Sequence, residues 1–318
     1  MSDHVLRAGA DTAPAVGTLT RAQAQEREAV QTITSRRRWL GHVGTALIYL
    51  FLVLMTIFSL FPLYFLVQAS LRGNQTLYVT DLQLFPTDLT LENYRYVIAD
   101  IPFLNWVLNT FIVLGGSTLM GLFFSTTGAY ALARFRFRGR QLTLVTLMAI
   151  QAFPQLLALL AYYLLLQTLG LIPYTPLLGL AIVYAGGTVV FACWNIKGYF
   201  DTLPTELEQA ALVDGATPTQ AFIRITLPLA APALAASALF MFIGGWSEFA
   251  IANIILNSNA TGSNLTFPVG IYSLQSDFRV PWGYFAASSV LVAVPVSIVF
   301  LYLQRFFKSG LTVGSVKG

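Results

Sequence analysis

Residues Glu208–Pro228 read EQAALVDGATPTQAFIRITLP, a polar, alanine-rich island between two long apolar stretches. Its punctuation is that of two short helices and a tight turn. Thr205 stands three residues before Glu208, and Thr217 three before Gln220. Both pairs fit a capping box, in which two side chains satisfy free amides at a helix start. Pro218 falls at a first helical position, where its missing N–H costs nothing. Gly215 falls just past the first helix, where a left-handed residue is favoured. Pro228 is expected to end the second helix. The segment 205–228 therefore predicts helix, turn, helix.

On the first of these helices Leu207, Ala210, Ala211 and Asp214 share a face, and the alanines leave room for another backbone to come close. On the second, Phe222 and Ile225 form a larger apolar patch. Three uses compete: a hairpin with no partner, a DNA-binding helix-turn-helix, and a docking surface for another protein. Asp201, Glu206, Glu208 and Asp214 outnumber Lys197 and Arg224 here. A net negative hairpin suits the phosphate backbone poorly. The docking surface is the expectation.

Outward from the hairpin the chain reads as membrane. Of its 318 residues 56% are hydrophobic and 10% charged, where a soluble domain carries about 25% charged residues. A spanning helix needs about 20 apolar residues. Six stretches qualify: 44–70, 104–131, 142–168, 174–196, 230–256 and 284–307. The expected fold is an all-α integral membrane protein with six transmembrane helices. Pro62, Gly115-Gly116, Pro154, Gly186-Gly187, Gly244-Gly245 and Pro295 could kink the helices or let them pack closely, although for most of them ordinary membrane-helix composition is the preferred reading. The divisions read as an N-terminal tail 1–43, a first span 44–70, an outer loop 71–102, a core 103–307 containing the hairpin segment 201–228, and a C-terminal tail 308–318. Residues 1–35 have no helical stripe and read as a mostly disordered tail. A cleaved signal peptide would need its apolar run nearer the start.

Lys and Arg orient the spans, because cytoplasmic loops are enriched in them. Of the 18 Lys and Arg, only Arg72, Arg95 and Arg279 fall on one side. Both termini are thus expected in the cytoplasm. In the outer loop, FPTDLTLENYRYVI predicts a short helix capped by Thr90, with Leu91, Tyr94 and Ile98 on one face.

The hairpin also carries a resemblance. Ala210, Ala211, Asp214, Gly215, Ala216, Ile225, Leu227 and Pro228 match, in order and spacing, the EAA loop of permease subunits of bacterial ATP-binding-cassette (ABC) importers. The glutamate that normally precedes the paired alanines is Gln209 here, with Glu208 just ahead; either could make the polar contact. The likeness extends to LFPTDLTLENY, NWVLNTFIV, GGWSEFAIANIIL and the ending LQRFFKSGLTVGSVKG. Together these resemble the carbohydrate branch, and within it the maltose-type (MalG-like) permease subunits. Ser247 stands where that branch usually has Asn.

The resemblance implies a type I importer permease fold in the bacterial inner membrane, forming half of a sugar path. A maltose- or maltodextrin-like cargo is the first expectation, another carbohydrate or polyol the second. Implied partners are a second, MalF-like permease, a MalK-like ATPase pair that receives the EAA loops, and an extracytoplasmic sugar-binding protein. Gly314, Lys317 and Gly318 in the tail are expected to reach the ATPase. No Gly-x-x-x-x-Gly-Lys-Ser/Thr loop occurs in the chain, so ATP and Mg are expected on the partner and no cofactor on this subunit.

The remaining chemistry is sparse. Glu248 is the acidic residue well inside an expected span; a group at a helix break or subunit interface is preferred to a proton or substrate site. His4 and His42 lack partners at ligand spacing, and Cys193 sits alone in an apolar run. Trp106 and Trp282 are expected as interfacial anchors, while Trp246 could stack on a sugar. A stand-alone secondary transporter would show charges on several spans or inverted repeats. A membrane enzyme would need a converging His, Asp or Ser set. Neither pattern is present in the sequence.

Overall fold

The computed structural model describes residues 21–73, 88–257, 262–275 and 280–313, with side chains described for 44–73, 88–256, 262–275 and 280–306. The described elements are helical, apart from one antiparallel bridge between Arg72 and Leu89. In chain order they are α1 (Arg21–Ser70), α2 (Glu92–Ala99), α3 (Phe103–Arg134), α4 (Arg140–Gln151), a 3-10 turn (Gln155–Ala158), α5 (Leu159–Thr168), α6 (Leu171–Tyr174) and α7 (Pro176–Thr202). There follow α8 (Glu206–Val213), α9 (Pro218–Ala221), a π turn (Phe222–Thr226), α10 (Leu227–Leu229), α11 (Ala231–Ser247), α12 (Ala250–Asn257), α13 (Phe267–Ser273) and α14 (Trp282–Val313).

The chain divides into two compact units, Met1–Tyr64 and Phe65–Gly318. In the first, the helix begins at Arg21, so the expectation of disorder through residue 35 fails from there on. The stretch AQAQEREAVQT has no Pro or Gly and is rich in strong helix formers. Extending a helix that already exists needs no new nucleus. Farther along, Leu47, Phe51, Leu54 and Phe58 are all exposed. A helix that is apolar all round belongs in lipid or against another subunit.

Among the described residues four helices, Gly44–Ser70, Phe103–Arg134, Pro176–Thr202 and Trp282–Phe306, are long and apolar enough to cross a membrane, and counting each of two bent pairs as one span brings the number to six. The third expected span, 142–168, is one bent pair: α4 and the helix from Gln155 meet at 84°. Pro154 supplies the break, because it lacks a donor and forces Phe153 away from helical geometry. The fifth, 230–256, is cut twice. It bends by 72° at Ala230, and it stops at Ser247 before restarting at Ala250.

In the second unit α3 and α7 form the central pair, with α11 against both. Small residues allow the approach. A Cβ on Gly128 would lie 3.7 Å from the Cys193 sulfur, and one on Gly121 would press on Met241. One apolar cluster holds Leu114, Leu180, Tyr184, Phe242 and Ile255. A second holds Ala129, Leu132, Ala192, Ile196 and Phe200, next to the hairpin.

The outer segments are stitched on by polar bonds. Asn93 donates to the carbonyls of Ser70 (3.0 Å) and Arg72 (2.7 Å). Thr90 accepts the Glu92 amide at 3.1 Å, but the cap position falls to Leu91, which makes no side-chain cap bond. The predicted face of α2 is also wrong. Asn93 and Val97 are buried, whereas Leu91 and Ile98 are exposed. The bonds of Asn93 outweigh the apolar count and turn the helix. Trp106 is likewise no interfacial anchor. It is 2% exposed, its indole donates to the Gly262 carbonyl, and Gly270 lies so close that a Cβ there would overlap the ring. The ring is therefore core. Trp282 stays exposed, and Trp246 is half-buried between Phe242 and Phe267.

Candidate functional site

The hairpin forms as the turn chemistry predicts, with two differences. Gly215 has φ of 89°, the left-handed region where a side chain is strained. The Ala216 amide bonds the Ala211 carbonyl at 2.9 Å and the Gly215 amide bonds that of Leu212 at 3.1 Å. This crossed pair is the Schellman arrangement that closes a helix end. Thr217 accepts from the Gln220 amide, and the Gln220 side chain accepts from the Thr217 amide. The second capping box is complete.

The first box does not form. Thr205 is helical (φ −69°, ψ −23°) and its side chain makes no cap bond. Its expected partner, Glu208, is engaged elsewhere: Arg134 Nε donates to it at 2.8 Å, the Tyr130 hydroxyl at 3.0 Å and the Thr226 hydroxyl at 2.9 Å. A charge-assisted bond to a guanidinium is about twice as strong as a neutral one, so it wins over the cap. Arg134 also donates to the Phe200 and Leu203 carbonyls at 3.0 and 3.2 Å. One ion pair, with side chains 10% and 13% exposed, thus ties α8 to the end of α3, the end of α7 and the π turn.

Pro228 does not end the second helix. The helical run passes it and bends at Ala230. A proline interrupts an α-helix by clashing with the carbonyl four residues back. Here the ladder widens first: the Leu227 amide bonds the Phe222 carbonyl, five residues back. The π turn removes the conflict at Arg224 and lets the chain continue.

The expected docking residues separate into two sets. Gln209, Ala210, Asp214, Gly215 and Pro228 are exposed. Ala211, Ala216, Ile225 and Leu227 are half-buried. Phe222 turns inward and rests on the Tyr130 ring, centroids 4.3 Å apart. It braces the hairpin and leaves the outer apolar surface to Leu207, Leu212, Val213 and Ile223, all exposed. Helical phase alone missed Val213, the last residue of α8, and Ile223, which falls inside the π turn. Glu208 is spent inside the fold, so the outward polar position is Gln209. Gly314, Lys317 and Gly318 lie outside the described residues.

Glu248 stands at the α11–α12 break with an extended backbone, ψ 126°. Its carboxylate accepts from the Ile251 and Ala252 amides at 2.7 and 3.1 Å and from the Tyr184 hydroxyl at 2.6 Å. The residue is the cap of α12, which explains how an acid is carried within an apolar span.

A described fold of helices with bent spans and an exposed hairpin is that of a multi-pass membrane protein. Residues 117–313 match the family of binding-protein-dependent transport system inner membrane components. The chain belongs to that family. It is 38% identical to the maltose/maltodextrin transport system permease protein MalG of Vibrio vulnificus, over 89% of this chain and 96% of that one. It is 34% identical to the maltodextrin transport system permease protein MdxG of Bacillus subtilis, over 89% and 99%. A solved bacterial ABC transporter involved in the import of the acidic polysaccharide alginate shares the fold, with a TM-score of 0.68 at 24% identity over 85% of this chain and 97% of that one.

Proposed function

We propose that this chain is one of two permease subunits of an ABC importer that carries an oligosaccharide of the maltodextrin class across the bacterial inner membrane. A MalF-like permease completes the path, and a MalK-like ATPase pair, which holds the ATP and Mg, docks on the hairpin of each permease. A sugar-binding protein delivers cargo from the opposite face. The lysine and arginine distribution puts both termini with the ATPase. In this reading ATP hydrolysis belongs to the partner pair, and the permease serves transport.

The observation that carries this reading is the hairpin. It presents exposed Leu207, Leu212, Val213 and Ile223 around small Ala210 and Gly215, on a base locked by Arg134 and Glu208. A helix pair with a capped turn and a buried strut moves as one body. It therefore passes a displacement of the ATPase to α11, which follows directly. ATP and the loaded binding protein shift the inward–outward equilibrium only through their different affinities for the two states.

The test is co-purification of the ATPase with the permease pair carrying Gly215→Asp. Beyond Gly215 and its two chain neighbours, no described atom lies within 4 Å of a Cβ built on Gly215. The intramolecular cost is therefore backbone strain alone, about 1–2 kcal/mol, and any larger loss comes from the partner's socket. The expected result is normal membrane insertion with the ATPase lost. An intact complex with full sugar-stimulated ATP hydrolysis would remove the hairpin from the coupling path.

A further inference from the structure

A half-enclosed cavity of about 150 Å³ lies where the chain's two interrupted spans meet α3 and α7. Ser117, Gln155, Tyr162, Thr188, Gly244 and Glu248 line it. Broken helices at membrane depth are tolerated where they line a cavity. We propose that this cavity is a subsite for one neutral pyranose ring of the transported saccharide; the assignment rests on the importer reading above and adds a contact class to it.

Size is the first argument. A cavity of about 150 Å³ accepts a six-membered ring. Hydrogen-bonding capacity is the second. The Tyr162 hydroxyl has no partner among the described residues. Gln155 donates to the Gly187 carbonyl and keeps its amide oxygen open. Ser117 and Thr188 donate to backbone carbonyls and keep their oxygens as acceptors. The wall is thus rich in acceptors, matched to the O–H donors of a sugar.

Charge is the third argument. Among the described residues Glu248 is the one charged residue of the lining, and no Lys or Arg joins it. Its carboxylate is held by three donors and stays put. A uronate brought here would face a like charge with no cation to offset it. The cavity of this chain therefore takes neutral rings and disfavours acidic ones.

The adjacent glycines keep the space open by different means. A Cβ on Gly245 would overlap the Leu114 side chain, whereas one on Gly244 meets nothing within 4 Å. Gly245 is needed for packing. Gly244 lines the cavity and has room for a side chain.

The experiment uses the complete complex in liposomes, with ATP and the loaded binding protein. Gly244→Leu adds bulk at the cavity wall from a Cβ position that meets nothing within 4 Å. It is expected to cut maltotriose moved per ATP hydrolysed by about tenfold, equivalent to about 1.4 kcal/mol, with complex assembly retained. Tyr162→Phe removes a hydroxyl that nothing in the described fold uses, and decides the matter if the leucine variant fails to assemble; a clear drop in the same ratio is expected. In Thr188→Cys complexes, maltotriose should slow labelling by a small thiol reagent, and a trisaccharide of uronates at equal concentration should not. Wild-type transport per ATP in both cavity variants, or equal labelling with and without maltotriose, overturns the subsite. Equal protection by both sugars overturns its preference for neutral rings. Absence of ATP-driven uptake by the wild-type complex would instead overturn the importer reading.

Discussion

Glu208 and Glu248 each sit at an interruption of the helical framework, and they are held in different ways. Glu208 faces a guanidinium and two hydroxyls drawn from α3 and the π turn. Glu248 has no cation among the described residues; its donors are the Ile251 and Ala252 amides of α12 and the Tyr184 hydroxyl. The first arrangement is a strut between separate elements, the second a local cap with one outside tie. Removing a partner should thus be felt across the assembly at Glu208 and near the break at Glu248.

The largest effect is expected at Arg134. Arg134→Leu leaves the Glu208 carboxylate largely buried without its cation, and two backbone carbonyls lose their donor. Breaking such a pair costs about 3 kcal/mol. The purified complex should melt earlier and retain less ATPase. Adding Glu208→Leu should restore much of the loss, because an apolar pair of similar volume is often neutral. A single variant that melts like wild type would reduce the strut to a surface ion pair.

A smaller loss is expected at Glu248. Glu248→Ala uncaps α12 and should cost about 1–2 kcal/mol, read as faster amide exchange in Ile251 and Ala252. Glu248→Gln keeps an acceptor for those amides and should cost less than Ala. Glu208→Gln, by contrast, loses its charge partner and should behave much like a deletion. If glutamine rescues both positions equally, the distinction between strut and cap is wrong.

The smallest effect separates the two threonines. Thr217→Ala loses a formed capping box and should cost about 1 kcal/mol. Thr205→Ala loses no cap bond and should leave amide exchange across 206–221 unchanged. Equal effects would mean that the Thr205 box forms in solution.

Much of this was legible in the chain. The complete box at Thr217, the sign of φ at Gly215 and the break at Pro154 are consequences of residue chemistry within a few positions. So are the apolar stretches that become spans. The helix from Arg21 and the run past Pro228 departed from expectation for local reasons, whereas three other departures arose where a distant group competed. Glu208 abandoned its local cap for Arg134, 74 residues away. Phe222 faced inward because Tyr130 was there to receive it. Trp106 left the interface because Gly270 opens a slot for its ring.

The sequence by itself determined that this is a multi-span helical protein with a capped hairpin, because periodicity, hydropathy and turn chemistry act over one or two helical turns. It also placed an acid and a glycine pair at the same point of the fifth span. Only the tertiary structure decided that the acid caps a restarted helix, that one glycine packs while its neighbour faces a cavity, and that the hairpin rests on an ion pair. Each of those outcomes depends on which side chains arrive from other helices, and a helix's own sequence does not encode the donors its neighbours will bring.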